Sequence, residues 1–112
     1  MASIANTQVK QDDGTILVTW TPLTEADTGL GAALARHPDR TVQVIFASGS
    51  GTVRIEGSND GSNWGALSDH ANETLDITDA TPRLIAQNPR YLRPRATSGT
   101  FSAHIYILAA PR

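Results

Sequence analysis

The chain has 112 residues, a formal net charge of −2, and 39% hydrophobic, 5% aromatic and 18% charged residues; this fits one domain with a modest core and leaves little room for a deep pocket beneath it. It contains no cysteine, which excludes disulfides, thiolate metal sites and cysteine nucleophiles. No basic-then-apolar leader opens it and no stretch approaches the roughly 18 apolar residues of a membrane span, so neither signal-directed export nor a membrane partner is expected, and the slightly acidic balance argues against a nucleic-acid partner.

Residues 1–13 are polar and run into the turn signal Asp12-Asp13-Gly14. They are predicted to form an extended N-terminal arm, with the folded domain spanning 14–112. Thr15 to Thr21 is a β-branched and aromatic run closed by Pro22, the first predicted strand. Leu23 to Arg40 carries no strand pattern, is punctuated by Gly29, Gly31 and Pro38, and offers only a short helical turn over 31–37. A connection of that length is expected to be functional.

Thr41 to Ala47 reads as a strand covered at least partly on both faces, because Ile45 interrupts the polar side. Ser48-Gly49-Ser50-Gly51 reads as a tight connection into a half-solvated strand in which Val53 and Ile55 alternate with Arg54 and Glu56; the two runs are predicted to form a hairpin. Gly57 to Trp64 is a dense turn cluster. Thr74 to Thr78 again has period two, and Arg83-Leu84-Ile85 precedes Asn88-Pro89. Tyr91 to Ala96 alternates as well, but Pro94 cannot donate to a ladder, so that stretch is predicted to be an edge or to bulge there. Phe101 to Ala109 alternates with Ser102, His104, Tyr106 and Leu108 over nine positions, the clearest strand in the chain. Seven or so short strands with glycine and proline turns and no helical stripe predict an all-β fold: a single small antiparallel β-sandwich or jelly roll with an extended N-terminal arm.

Charge is uneven along the chain. All 11 acids lie in residues 1–79 with 4 bases, and 5 arginines lie in 80–112 without an acid. The two signs either mark a surface or interleave across neighbouring strands.

Sites of chemistry are sparse. His37, His70 and His104 lie in separate segments without a second ligand at metal spacing. Asn59 to Asn63 is oxygen-rich but lacks the glutamate that closes a calcium loop, and suits a tight turn. Asp76 and Asp79 have no patterned base or nucleophile beside them and read as solvated carboxylates. There is no nucleophile elbow and no phosphate-cradling loop, and Asn72-Glu73-Thr74 is a glycosylation sequon that is idle without secretion. No cofactor, metal or catalytic residue is expected, and the protein is not expected to be an enzyme. Trp20 and Trp64 each admit a core and an interface reading; core fits Trp64 better, and Trp20 is carried as an interface candidate.

Val53 to Trp64, "VRIEGSNDGSNW", resembles the strand and turn of discoidin-like β-sandwiches. Over most of its length the chain is similar to small tailed-phage head decoration (cementing) proteins, through Thr19–Thr24 "TWTPLT", Asp27–Gly29 "DTG", Asp39–Val44 "DRTVQV", Val53–Trp64, Asn88–Thr97 "NPRYLRPRAT" and the apolar strand from Phe101 to Leu108, in that order. The resemblance implies a β-sandwich made in the host cytoplasm that sits on the outer surface of the phage head and bridges subunits of the major capsid protein. A carbohydrate- or receptor-binding module of a tail or cell surface is the alternative. Candidate protein-interface residues are Trp20, Leu23, Arg36, Arg40, Arg90, Arg93 and Arg95. The arm is expected to order on a neighbouring subunit. A homodimer or homotrimer is expected, because a small cysteine-free core needs reinforcement and the Pro94 stretch reads as an edge needing cover.

Overall fold

A computed structural model describes residues 2–111. Met1 and Arg112, the outer bounds of the two predicted segments, lie outside the described residues. The first short strands are β1 (Ser3–Ile4) and β2 (Asn6–Lys10). The β-branched run at Ile16 becomes β3 (Ile16–Thr24), which continues through a cis Thr21–Pro22 peptide rather than stopping at the proline. β4 (Thr28–Gly29) and β5 (Ala32–Ala33) follow, then β6 (Asp39–Ser58), β7 (Gly65–Ala66), β8 (Asp76–Ile77), β9 (Arg83–Ile85) and β10 (Tyr91–Ala110).

The all-β prediction holds, with one large correction to its wiring. Residues 41–47 and 53–56 do not form a hairpin. They are two parts of one 20-residue strand, β6, which pairs antiparallel with the equally long β10 from Tyr91↔Ser58 to Ala110↔Asp39. The glycines that suggested reversal instead bend this ribbon. Gly49 and Gly99 both adopt positive φ, 71° and 89°, which a side-chain-bearing residue disfavours. A Cβ on Gly49 would strike the Thr100 carbonyl oxygen, and one on Gly99 the Ser50 carbonyl oxygen. Register shifts at Ala96/Ser98 and Ser102/Ala103 complete the bend, as bulges do in strongly coiled sheets.

Each half of the ribbon nucleates its own layer. On one side the strand order is β2-β3-β10-β6-β9, using residues 102–109 of β10. On the other, residues 91–96 of β10 and 53–58 of β6 are flanked by β4 and β5 on one edge and by β7 and β8 on the other, with β1 added in parallel to β4. The layers enclose one core to which Val18, Trp20, Val42 and Ile105 contribute from the first and Val53, Ile55, Ile77 and Leu92 from the second.

Three further expectations change. Pro94 is not on an edge: it faces Ile55 in β6, while the neighbouring strand is broken there, β5 pairing with Tyr91 and Leu92 and β4 with Arg95. The gap spares the ladder a donor that proline lacks. Gly29 fills it; a Cβ there would come within 2.5 Å of the proline ring and 2.7 Å of Trp20. The 1–13 segment pairs with the chain's own sheets, β1 with β4 and β2 with β3, although most of its side chains are exposed. The long 23–40 connection contains strand rather than a helical turn. Leu34 and Ala32 are core residues, and Leu34 accepts a backbone hydrogen bond from His37 in an isolated turn.

Candidate protein-interaction face

Successive side chains of a strand point to opposite faces, so register decides which residues share a surface. In the first layer the inward row Val18–Ile107–Val42 is core, and the next outward row is Val9–Leu17–Leu108–Thr41–Leu84, read across β2, β3, β10, β6 and β9. Four of its five residues are apolar, and three are open to solvent: Val9 at 56%, Leu84 at 53% and Leu108 at 40%. The adjoining row is Thr7–Thr19–Tyr106–Gln43, and beyond it His104 lies opposite Ile45. These rows carry no Asp, Glu, Lys or Arg; Asp39 enters only at the rim, opposite Ala110.

Two hollows lie along this face. One, of about 580 Å³, is bounded by Leu17, Gln43, Pro82 and Tyr106, and the other, of about 340 Å³, by Pro38, His70, Leu84 and Ile85; Thr41 and Leu108 border both. Gln43 Nε2 donates to the Ala80 carbonyl at 2.9 Å, holding the loop that carries Pro82 against the sheet. His104 Nδ1 meets the Thr21 hydroxyl. Contiguous exposed apolar surface of this kind is usual where another macromolecule docks.

The outer face of the second layer is built differently. Arg54 reaches Asp76 through Nε at 2.8 Å and Nη2 at 3.3 Å. Glu56, almost fully buried, accepts from Arg93 Nε at 2.9 Å and Arg95 Nη1 at 3.4 Å. The Arg93 guanidinium lies 4.2 Å from the centroid of the Trp64 ring, a cation–π stack. With Arg83–Asp69 at 2.7 Å, three of the late arginines are joined to acids of the earlier region, so the uneven charge interleaves within one chain. Asp76, read as solvated, is an ion-pair partner; its side chain raises the Arg54 pKa.

The predicted interface residues do not converge. Trp20 and Leu23 have no exposure and Arg40 only 2%, which corrects their assignment to an accessible surface. Trp20 donates from Nε1 to the Leu30 carbonyl at 2.9 Å inside the core. Arg40 points inward opposite Ala109 and Ile85, donating to the carbonyls of His37 (2.8 Å), Pro89 (3.0 Å) and Leu34 (2.6 Å). Burial lowers its pKa, and the three carbonyls satisfy the cation where no carboxylate among the described residues does. Arg36 and Arg90 are exposed, Arg90 lying 5.8 Å from the Tyr91 ring centroid, whereas Arg93 and Arg95 share Glu56. The two tryptophans exchange roles: Trp20 is core and Trp64 is half-exposed beneath Arg93.

The oxygen-rich turn uses its own donors. Asp60 accepts from the backbone of Ser62 and Asn63, both at 2.8 Å, from Asn63 Nδ2 at 2.6 Å and from the Ser58 hydroxyl at 2.9 Å. These bonds, the backbone one from Asn63 foremost, hold its carboxyl well below the usual range. Among the described residues no three His, Asp or Glu side chains are grouped to hold a metal.

The apolar row is the feature that sequence reading missed. Leu17, Leu84 and Leu108 sit on sides of their strands that looked solvated, and only the five-strand register brings them together.

No family model matches the chain, and no curated protein sequence does. Among solved structures, the SPBc2 prophage-derived protein YomS superposes with a TM-score of 0.66 over 85% of this chain and 93% of its own, at 12% identity. A RmlC-like cupin with a double-stranded β-helix fold from Methanocaldococcus jannaschii gives 0.55 over 95% and 80%, at 8% identity. A double-stranded β-helix protein from Klebsiella pneumoniae gives 0.53 over 96% and 72%, at 12% identity. The likeness at these identities is one of fold: the chain has the jelly-roll architecture of double-stranded β-helix proteins.

Proposed function

We propose that this protein is a non-enzymatic structural component of a phage particle, and that it docks through the outer face of the first layer. The observation that carries the reading is the uncharged row Val9–Leu17–Leu108–Thr41–Leu84, left open on a molecule whose other sheet face is closed by its own ion pairs. The ordered motif resemblance to head decoration proteins supports it, as does the fold shared with a prophage-derived protein. In this reading the partner is the major capsid protein, the location is the outer surface of the head, and copies bridge neighbouring capsid subunits by burying apolar area. The exposed Arg36 and Arg90 lie outside the apolar rows and serve as rim contacts.

The test is reconstitution on heads that lack the protein. Leu84→Glu and Leu108→Glu should each abolish occupancy while leaving the isolated domain folded, and wild-type copy number should follow the capsid lattice. Full occupancy by both variants would refute the reading.

One observation favours carbohydrate binding as a second reading. Asn59, Asn63, Gln87 and Asn88 surround a hollow of about 450 Å³ close to Trp64 in sequence, and amide side chains suit sugar hydroxyls. A glycan array decides it: saccharide binding lost on Asn63→Ala, with no binding to heads, would replace the capsid reading by this one.

A further inference from the structure

We propose that β2 is a self-complementary edge through which two copies of this chain pair antiparallel, joining their first layers into one continuous sheet. The inference stands independently of what the outer face binds.

Strand edges are exposed rows of unpaired backbone donors and acceptors, which folded proteins normally blunt. This chain blunts most of its own. β9 has three residues, begins directly after Pro82, and carries Arg83 tied to Asp69. β1, β4, β5, β7 and β8 have two residues each. β2 is the exception. It has five residues, Asn6-Thr7-Gln8-Val9-Lys10, without proline or bulge, and pairs through all five with β3. It ends the strand order, so among the described residues no strand lies on its far side.

The residues on that edge suit a two-fold partner. Only one antiparallel register pairs all five, the one centred on Gln8. It sets Thr7 opposite Val9 of the other copy, Asn6 opposite Lys10, and Gln8 opposite itself. Thr7 and Val9 share the outward face, since they pair with Thr19 and Leu17. The register therefore makes two β-branched cross-strand pairs and covers Val9, the most exposed large hydrophobic residue in the chain. On the opposite face, Gln8 meets the amide of its own symmetry mate, and each lysine meets an asparagine rather than the other lysine. No like charges are opposed. Such a contact is isologous and closes at two copies. It also runs the apolar row of each copy into the uncharged Thr7–Thr19–Tyr106–Gln43 row of the other.

The chain's lack of cysteine makes a direct test clean. Gln8→Cys places two thiols directly across the proposed axis, within the span a disulfide bridges between opposed antiparallel residues; Ser3→Cys, on β1, is the control. Under oxidation the full chain should cross-link at position 8 and not at position 3. Mass in solution should be that of a dimer. The double variant Thr7→Lys with Val9→Lys should weaken the dimer about tenfold or more by opposing like charges twice, and Thr7→Lys with Val9→Glu should restore it, with circular dichroism unchanged in both. A monomer at the highest soluble concentration with no cross-link at position 8 would overturn the proposal. So would a dimer indifferent to both double variants.

Discussion

The two outer sheet faces of this molecule are made from the same two strands and share almost nothing else. On the half formed by residues 53–58 and 91–96, Arg54, Glu56, Arg93 and Arg95 find Asp76, Trp64 and each other. On the half formed by residues 40–46 and 102–109, Leu84 and Leu108 are open to solvent and Leu17 is half-buried beside them, among uncharged neighbours. A face whose polar groups are satisfied internally gains little from a partner, because docking would strip water from groups already paired. A bare apolar face gains from any complementary surface. It is this contrast on which the proposed docking through the first layer rests.

Acid should act on the fold rather than on the apolar face. Asp27 is held below its ordinary value of 3.8, chiefly by the Thr24 hydroxyl, and Asp69 chiefly by Arg83. Because these folded values are depressed, the stabilisation is complete above the unfolded value and drains as pH falls from about 4 through the folded values. Unfolding followed by circular dichroism should be insensitive to pH between about 5 and 7 and steepen below 4. The apolar rows contain no carboxylate, so head occupancy should persist until the fold itself fails. Occupancy lost at a higher pH than the unfolding transition would place a carboxylate in the contact.

Glu56→Ala comes next. It leaves Arg93 and Arg95 without their shared acceptor, and should cost about 2 kcal/mol, less than a wholly buried orphaned charge because the arginines reach solvent. Arg93→Ala removes one ion pair and the stack on Trp64, and should cost about 1 kcal/mol by denaturant titration. Leu84→Ser and Leu108→Ser, on the other face, should change stability by no more than about 0.5 kcal/mol. A loss above about 1 kcal/mol in either would mean that these leucines serve the fold, and the contrast between the faces would collapse.

What the sequence made legible was local alternation. The runs at Thr41–Ala47, Val53–Glu56 and Phe101–Ala109, and all but the first residue of Thr15–Thr21, are strand, because β-branched density and period two act within a few residues. The continuity of β6 and β10 was not legible. Ser-Gly-Ser-Gly has the composition of a reversal, and whether such a segment turns back or bends depends on the partner strand bending with it, as Gly99 does opposite Gly51. Pro94 misled for a similar reason: its missing donor matters only if a neighbour needs it, and that neighbour is interrupted. The candidate interface was the least legible part. Trp20, Leu23 and Arg40 looked like surface anchors by type, but exposure follows from which face a residue takes, and that is set by pairing between residues far apart in sequence.

The bent ribbon also dictates how the length of this chain can vary. Since β6 and β10 serve both layers, losing or gaining one residue at the bend moves everything beyond it by a full alternation: Ile55 and Glu56 would trade places, or Ile105 and Tyr106, in one layer while the other stayed in phase. A lone deletion between Ser48 and Gly51 therefore turns half the molecule inside out. One matched across the ribbon, near the existing irregularities at Ala96/Ser98 and Ser102/Ala103, preserves the phase of both. Insertions and deletions at the bend should thus be accepted only as facing pairs or in steps of two, while the 59–64 turn and the 69–73 loop, which no long strand crosses, are free to change by any number.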